Sequence, residues 1–277
     1  MKLGRLLADE LARIFWQKGT YVGYGALVVL VSLMTLAIWR FGSPFHERLE
    51  AGSDFLIAGK LISGVTVARL LMEPALLVLV PLLVAAISGG VFAAEMQRGT
   101  MRVLLCRPVR RWQVATAKYL AGWTHAISLT LFLGLSGLLI GWAVFGRGEL
   151  IAFRGGLTIL TEQMALLRLG QAYLVAALGM CAVASVALLC SQLVHSPLTA
   201  TAATVAFLLI GGVLAAMPYF EWLSPYLLST HLEVFSQLFS SQVEIAPLRW
   251  PLACMGLYVV VPFIIGQIVF RYQDITC

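Results

Sequence analysis

The sequence predicts an all-α integral membrane protein with six transmembrane helices. Of its 277 residues, 60% are hydrophobic and only 12% are charged, and the mean hydropathy is +0.92. Soluble domains carry about 25% charged residues, so half that proportion indicates a chain that lies mostly in lipid. Six apolar stretches reach the roughly 20 residues that a helix needs to cross a bilayer, and all are too long for strands.

The six predicted spans take up about half of the chain. They are residues 20–39, 70–94, 119–145, 170–194, 198–217 and 251–270. Pro74, Pro81 and Pro262 predict bends in the second and sixth spans. Small residues four positions apart, such as Gly137 and Gly141, predict faces on which helices approach closely.

Residues 1–19 precede the first span and predict an amphipathic helix at the membrane surface. A solvated leader is the alternative. The first span is too long for a cleavable signal peptide, and no small-residue cleavage site follows it. The apolar face of the predicted helix comprises Leu3, Leu6, Leu7, Leu11, Ile14 and Phe15.

The distribution of positive charge predicts the orientation of the chain. With the N-terminus inside, the inner segments hold 11 of the 19 Lys and Arg residues, and 6 of these lie in residues 95–118. The longer outer segments hold the other 8, together with most of the acidic residues. By the positive-inside rule, both termini and residues 95–118 are expected in the cytoplasm.

Two further segments are expected to hold short helices on the outer side. Residues 218–250 are rich in aromatic side chains and too interrupted for a span, which predicts an interfacial or re-entrant segment, with a plain aromatic belt as the alternative. Residues 157–169 predict a shorter helix of the same kind.

The sequence predicts that the chain itself is not an enzyme and holds no metal. It has no GxxxxGK[ST], HExxH or GxSxG motif, and its four histidines are scattered. His125 lies within the third span, where we expect a neutral imidazole bonded to a neighbouring helix, with a functional role as the alternative. Because the spans lack carboxylates apart from Glu73 at the rim, an ion-coupled carrier is not favoured.

The densest positive charge lies in the loop between the second and third spans, "EMQRGTMRVLLCRPVRRWQVATAK", residues 95–118. Burying its six basic residues would cost ~15–20 kcal/mol on the membrane-insertion scale. Gly99 interrupts the helix of the second span, Thr100 can cap a short helix, and Pro108 ends that helix. We therefore expect a rigid helix–break–helix unit, which we call the finger.

The finger resembles the loop between the second and third spans of type-2 ABC exporter permeases. The residues that carry the resemblance are Glu95, Gly99, Thr100, Leu104, Leu105, Pro108, Val109, Arg111 and Lys118. The order of surface helix, six spans and large outer segment is also similar, and so is the short Arg-containing tail "FRYQDI". One departure is Arg110, where that family often has a Ser or Thr cap.

The resemblance implies one permease domain, residues 1–277, in the cell (inner) membrane. It implies a cytoplasmic coupling helix inserted into separate ABC ATPase subunits that hold ATP and Mg, with no cofactor in this chain. Met101, Leu104 and Leu105 would be buried against the ATPase, and Arg98, Arg102, Arg107 and Arg111 would pair with its acids or with lipid phosphates. The implied coupling site is Glu95, Arg98, Gly99, Thr100, Met101, Arg102, Leu104, Leu105, Arg107, Pro108 and Arg111.

The expected partners are those ATPase subunits, membrane lipids and a second copy or sister permease, but not nucleic acid. By resemblance the first and fifth spans form the dimer surface, with Gly23 and Gly211 near it. The substrate is not indicated, although uncharged spans favour an amphipathic or apolar cargo, or mechanical signalling with none. The alternatives are a non-transporting scaffold or assembly factor and, more remotely, an intramembrane enzyme.

Overall fold

The computed structural model describes residues 3–41, 63–101, 109–148, 150–152, 158–239 and 246–272. These residues are helical apart from connecting turns and two strands of three residues. Six of the helices are long and apolar enough to cross a membrane. The chain is therefore a multi-pass membrane protein, as its hydropathy predicts.

The long helices follow the predicted spans, with one helix before them and one hairpin between the third and fourth. They are α1 Leu3–Trp16, α2 Lys18–Phe41, α3 Gly64–Gln97, α4 Arg111–Phe145, β1 Leu150–Ala152, β2 Thr158–Leu160, α5 Glu162–Leu193, α6 Pro197–Ala216 and α7 Ala246–Tyr272. The spans are α2 to α7. Within α3, residues Ala75–Leu79 form a π-helical turn directly after Pro74, one of the positions where a bend is predicted.

All six spanning helices begin earlier than their predicted spans, by up to eight residues in α4 and α5. α3 starts at Gly64 rather than residue 70, because Ser63 caps it by accepting a hydrogen bond of 3.3 Å from the Thr66 amide. α5 starts at Glu162 rather than residue 170. Both added stretches contain charged residues. These residues lower the mean hydropathy of the sequence around them, so the stretches do not look like part of a span, but they do not end a helix.

The expected short helix over 157–169 is wrong in its first half. Thr158–Leu160 instead pairs antiparallel with Leu150–Ala152, with Ile151 opposite Ile159. These β-branched residues favour strands over helices. The second half of that segment is the start of α5, so it belongs to a span and not to a separate helix.

α5 forms the centre of the bundle. In its most apolar window 67% of the residues are buried, and it packs against α3, α4, α6 and α7. The corresponding fraction is only 11% for α6 and 22% for α2, which both lie at the periphery. α3 contacts both of these peripheral helices, so α2, α3 and α6 form one contiguous wall.

The predicted small-residue faces bring α3 and α4 into backbone contact. A Cβ atom placed on Gly141 would lie 2.7 Å from the carbonyl oxygen of Gly64, and one on Gly137 would lie 3.4 Å from the Ala68 Cα. No larger residue fits at Gly141 without moving the helices apart. Gly23 and Gly211, expected near a dimer surface, face Leu83 and Ser229 of the same chain.

The aromatic segment that begins at residue 218 holds short helices over Pro218–Phe220, Ser224–Tyr226, Leu228–His231 and Val234–Phe239. It is tied to α7, because the Trp250 indole donates to the Pro225 carbonyl at 3.0 Å and the Tyr258 hydroxyl donates to the Tyr226 carbonyl at 3.1 Å. Its aromatic residues divide into two groups. Tyr219, Trp222 and Tyr226 are exposed, whereas Phe235 and Phe239 are buried.

Candidate functional site

The finger emerges at one end of the bundle, which we call the basic end. There α1, the last turns of α3, the first turns of α4 and the last turn of α7 share one apolar cluster. Leu6, Phe92, Val114 and Phe270 contribute one buried side chain from each of these helices. The base of the finger is therefore part of a packed core.

The first half of the finger begins with the break expected at Gly99. α3 ends at Gln97, and Gly99 has a φ of +70° while its amide donates to the Met96 carbonyl at 3.1 Å. Glycine is favoured in this left-handed conformation, which commonly ends helices. Thr100, expected to accept hydrogen bonds as a cap, instead donates its hydroxyl to the Glu95 carbonyl at 3.4 Å.

The second half of the finger restarts as a helix at Arg111, as the sequence predicts. Arg110 supplies no side-chain cap to this helix. The Gln113 side-chain oxygen accepts the Arg110 backbone N–H at 3.3 Å, and the Gln113 amide donates to the Arg110 backbone carbonyl at 3.0 Å. The other expected coupling residues, Arg102, Leu104, Leu105, Arg107 and Pro108, lie outside the described residues.

Four charged side chains meet beneath the finger, in a cluster that we call the ionic joint: Glu10, Arg13, Glu95 and Lys118. The Lys118 ammonium is fully buried, and its Nζ lies 2.7 Å from Glu95 Oε1 and 3.0 Å from Glu10 Oε1. Arg13 pairs with Glu95 and lies 3.8 Å from Glu10. The joint therefore links α1, α3 and α4 through one buried lysine.

The charges of the ionic joint balance, with two carboxylates and two cations. Buried ions are tolerated only when they are paired with good geometry, and removing one partner is strongly destabilising. The Lys118 Nζ also lies 3.4 Å from the Val91 carbonyl and 5.5 Å from the centroid of the Phe92 ring. This neutral network fixes the positions of three helices relative to one another.

The structure separates the expected coupling residues into buried and exposed groups. Glu95 is 7% exposed and Met101 is 0% exposed, both covered by this chain itself. Met101 was expected to contact a partner, but its burial within the apolar cluster leaves no surface for that contact. Arg98, Thr100 and Arg111 are exposed and can reach a partner.

Sequence reasoning missed the role of Glu10 and Arg13. Glu10 follows Leu6 and precedes Ile14 by four residues, and all three are buried on one stripe of α1. A carboxylate in register with two apolar residues on the buried face was the available signal. Arg13 lies on an exposed part of the helix and gives no comparable signal.

The remaining candidate, His125, is 1% exposed, and its Nδ1 makes no hydrogen bond within the described part of the chain. The hydrogen bond expected between this imidazole and a neighbouring helix is therefore not made through Nδ1. The Phe15 ring lies edge-on at 6.3 Å between centroids. Among the described residues no group of three or more His, Cys, Asp or Glu side chains could hold a metal ion.

Comparison with known proteins gives two matches. The chain is 24% identical over 209 residues to the "Uncharacterized protein YhcI" of Bacillus subtilis (strain 168), a match that covers 72% of this chain and 66%, just under two thirds, of that relative. Residues 26–276, from within α2 to beyond the end of α7, match the family described as "Protein of unknown function (DUF2705)". Because this match covers nearly all of the spans, the chain belongs to that family.

Proposed function

We propose that this chain is the permease subunit of an ABC exporter. A separate cytoplasmic ATPase would bind the finger and supply the energy, and the chain would export a substrate or transmit a mechanical signal across the membrane. The observation that carries the proposal is the ionic joint at the base of the finger. It adds to the support from the residue pattern of the finger. A loop with that pattern alone could also serve only as a topological anchor.

The ionic joint supports coupling because it makes the finger continuous with the bundle. Glu95 precedes the finger, Lys118 follows it, and their side chains are in direct contact at 2.7 Å. A displacement of the finger would therefore move the ends of α3 and α4 together, and α1 with them through Glu10. A loop that only anchored the topology would need positive charge but not a buried salt bridge across its base.

The wall formed by α2, α3 and α6 supports association with a second copy or a sister permease. α2 and α6 expose many large apolar side chains, which include Val22, Leu33, Leu36, Leu198 and Ile210. In this proposal the wall faces the partner permease, and the other faces contact lipid. The free energy of association would come from close packing between the two subunits and not from the hydrophobic effect, because lipid is as apolar as these side chains.

The proposed cargo is amphipathic or apolar. A groove of about 640 Å³ lies between α3, α6 and the outer segment. Its lining is mostly aliphatic, including Leu77, Leu208 and Val213, with Ser229 and Glu233 at the outer segment. Binding grooves for small molecules combine this kind of apolar lining with a few polar groups.

The proposal is tested by purifying the tagged chain from its native membrane in mild detergent. We expect an ABC ATPase to co-purify, and we expect its ATP turnover to change when the chain is present. Recovery of an ATPase whose turnover is the same with and without the chain would favour a non-transporting scaffold. Recovery of no ATPase at all would contradict the proposal.

The proposed orientation gives a separate prediction. In a cysteine-free background, Cys at position 98, next to the exposed base of the finger, is expected to react with an impermeant thiol reagent only after cells are permeabilised. Trp222 is 70% exposed on the aromatic outer segment, so Trp222→Cys should react in intact cells. Labelling of Arg98→Cys but not Trp222→Cys in intact cells would reverse the orientation.

A further inference from the structure

One turn of α3, near the basic end, is bonded through its backbone to a side chain of α5. The fully buried Ser191 hydroxyl donates to the Gly89 carbonyl at 2.6 Å, and it accepts the amides of Ala93 at 2.9 Å and Phe92 at 3.1 Å. A hydroxyl has one hydrogen and two lone pairs, so its whole hydrogen-bonding capacity is used on α3. We call these three contacts the Ser191 bridge.

The Ser191 bridge enters the hydrogen-bond ladder of α3. Gly89 and Ala93 are four residues apart, so in a regular α-helix the Gly89 carbonyl accepts the Ala93 amide directly. A carbonyl has a second lone pair for another donor, but an amide has a single hydrogen. The hydroxyl therefore competes with the carbonyls of α3 for the amides of Phe92 and Ala93. A side chain inserted into this ladder is one of the few recognised causes of a helix kink.

A serine that only joined two helices would need less than this. Thr130, Ser185 and Thr204 are also buried in the spans, and each donates to the carbonyl four residues earlier in its own helix. Thr201 of α6 reaches α3 through the spare lone pair of a carbonyl, at 3.4 Å. All four are bonds to carbonyls, which take no amide out of the ladder. The Ser191 bridge differs because it holds two amides.

The backbone of this turn is weakly restrained by its own residues. Ser88, Gly89 and Gly90 are consecutive, and Gly/Ser pairs are another recognised site of helix kinks. A Cβ atom on Gly90 would meet Pro197 of α6 at 4.0 Å, an ordinary van der Waals distance, so the turn has room at this position. A Cβ atom on Gly89 would lie 2.9 Å from the Thr201 hydroxyl oxygen. The turn is therefore held by α5 and α6 and not by bulky side chains of its own.

The buried apolar residues of α3 fall into two groups, one on either side of this turn. Up to Val84 they belong to the main core of the bundle, whereas Phe92 belongs to the separate apolar cluster of the basic end. Glu95, about one turn further on, belongs to the ionic joint. Residues 89–93 thus lie where α3 passes from one packed cluster to the other, and hinges are commonly a few residues at such junctions.

We infer that residues 89–93 are a hinge in α3 and that the Ser191 bridge holds it in one of two states. In the second state the Ala93 amide bonds the Gly89 carbonyl directly, and the Ser191 hydroxyl donates to the Ala187 carbonyl, four residues earlier in α5, as helical serines commonly do. Each of these buried donors has an acceptor in both states. Neither state therefore carries the cost of an unsatisfied buried group.

Bending at this hinge moves the base of the finger relative to the main core. Phe92 and Glu95 move with the last turns of α3, and Glu95 takes α4 with it through Lys118 of the ionic joint. Only this role in coupling rests on the proposed function. The hinge itself is a property of the chain alone, so a measurement on the purified chain tests it whether or not an ATPase co-purifies.

The experiment measures distances between spin labels by double electron–electron resonance on the whole purified chain in lipid nanodiscs. The labels are attached to Cys residues in a cysteine-free background, and the labelled chain is diluted with unlabelled chain. The pair Arg98→Cys/Leu193→Cys reports on the basic ends of α3 and α5, and the pair Leu70→Cys/Leu167→Cys reports on their other ends. All four native side chains are exposed.

The test variant is Ser191→Ala, which can adopt only the direct backbone bond. We expect the distance between labels at positions 98 and 193 to shift by about 2 Å, since widening one side of a backbone cylinder about 4.6 Å across by ~1 Å tilts the roughly 8 Å of helix that follow. The distance between positions 70 and 167 should not change. The matched control is Ser185→Ala, which removes an equally buried hydroxyl from α5 and should leave both distances unchanged.

An unchanged distance between positions 98 and 193 in Ser191→Ala would overturn the hinge, because Ser191 would then be an ordinary bond between two helices. Equal shifts in Ser185→Ala, or equal shifts at both ends of the helices, would also overturn it by showing a general loosening of the bundle. If Ser191→Ala does not fold, Gly90→Ala replaces it, since position 90 has room for a methyl group and alanine stiffens a helix. It should narrow the spread of distances between positions 98 and 193, and an unchanged spread would count against the hinge.

Discussion

Replacing Lys118 with Met is expected to lower the free energy of unfolding by ~3–5 kcal/mol, the usual effect of removing one partner from a buried ion network. Methionine fills a similar volume without charge. Glu10 and Glu95 would then share only Arg13, so one buried negative charge would be left uncompensated. The fully buried Nζ, with carboxylate oxygens at 2.7 and 3.0 Å, makes this the most sensitive position at the basic end.

Thermal unfolding of the purified variant in detergent measures this effect. The informative control is the double variant Glu10→Gln/Lys118→Met, which again balances the charges by leaving Glu95 paired with Arg13. We expect it to be more stable than Lys118→Met alone. Arg147→Met removes a cation that is 76% exposed and 4.0 Å from Glu162, and should change stability by less than ~1 kcal/mol. A Lys118→Met chain as stable as the native one would show that the joint contributes no net stability.

The positions of the spans could be read from the sequence because the lipid requirement acts on each helix separately. In lipid, a stretch of twenty apolar residues must be helical whatever its neighbours are, and a long apolar helix lies over each of the six predicted spans. The ends of the helices depend on local contacts instead. The Ser63 cap precedes the start of α3 at Gly64, and the β1–β2 pairing precedes the start of α5 at Glu162. Hydropathy alone does not predict either contact.

The candidate site was predictable only where it depends on local chain geometry. The break at Gly99 and the restart at Arg111 follow from residue types that end and begin helices. The ionic joint depends on which helices are neighbours, since Glu10 and Lys118 are far apart in sequence and meet only when α1 packs on α4. For the same reason the sequence suggested that Met101 was available to a partner, although it is fully buried in the apolar cluster of its own chain.

Leu104→Asp is expected to abolish stimulation of the ATPase while leaving the six spans inserted. In the proposed complex Leu104 and Leu105 carry the apolar contact, since Met101 is enclosed by its own chain. Burying one leucine contributes ~1.5–3 kcal/mol, and placing a carboxylate in an apolar contact adds a desolvation cost. We therefore expect docking to weaken by at least about tenfold. Co-purification of the ATPase and its ATP turnover measure the change.

Arg102→Ala is the neighbouring control for this prediction. An exposed ion pair contributes ~0–1 kcal/mol, so this variant should bind and stimulate the ATPase nearly as the native chain does. Gly99→Pro should resemble Leu104→Asp for a different reason, because proline fixes φ near −65° where the native residue has +70°. If Leu104→Asp bound and stimulated the ATPase normally, the finger would not be the coupling element. Its arginines would then serve only to hold residues 95–118 on one side of the membrane.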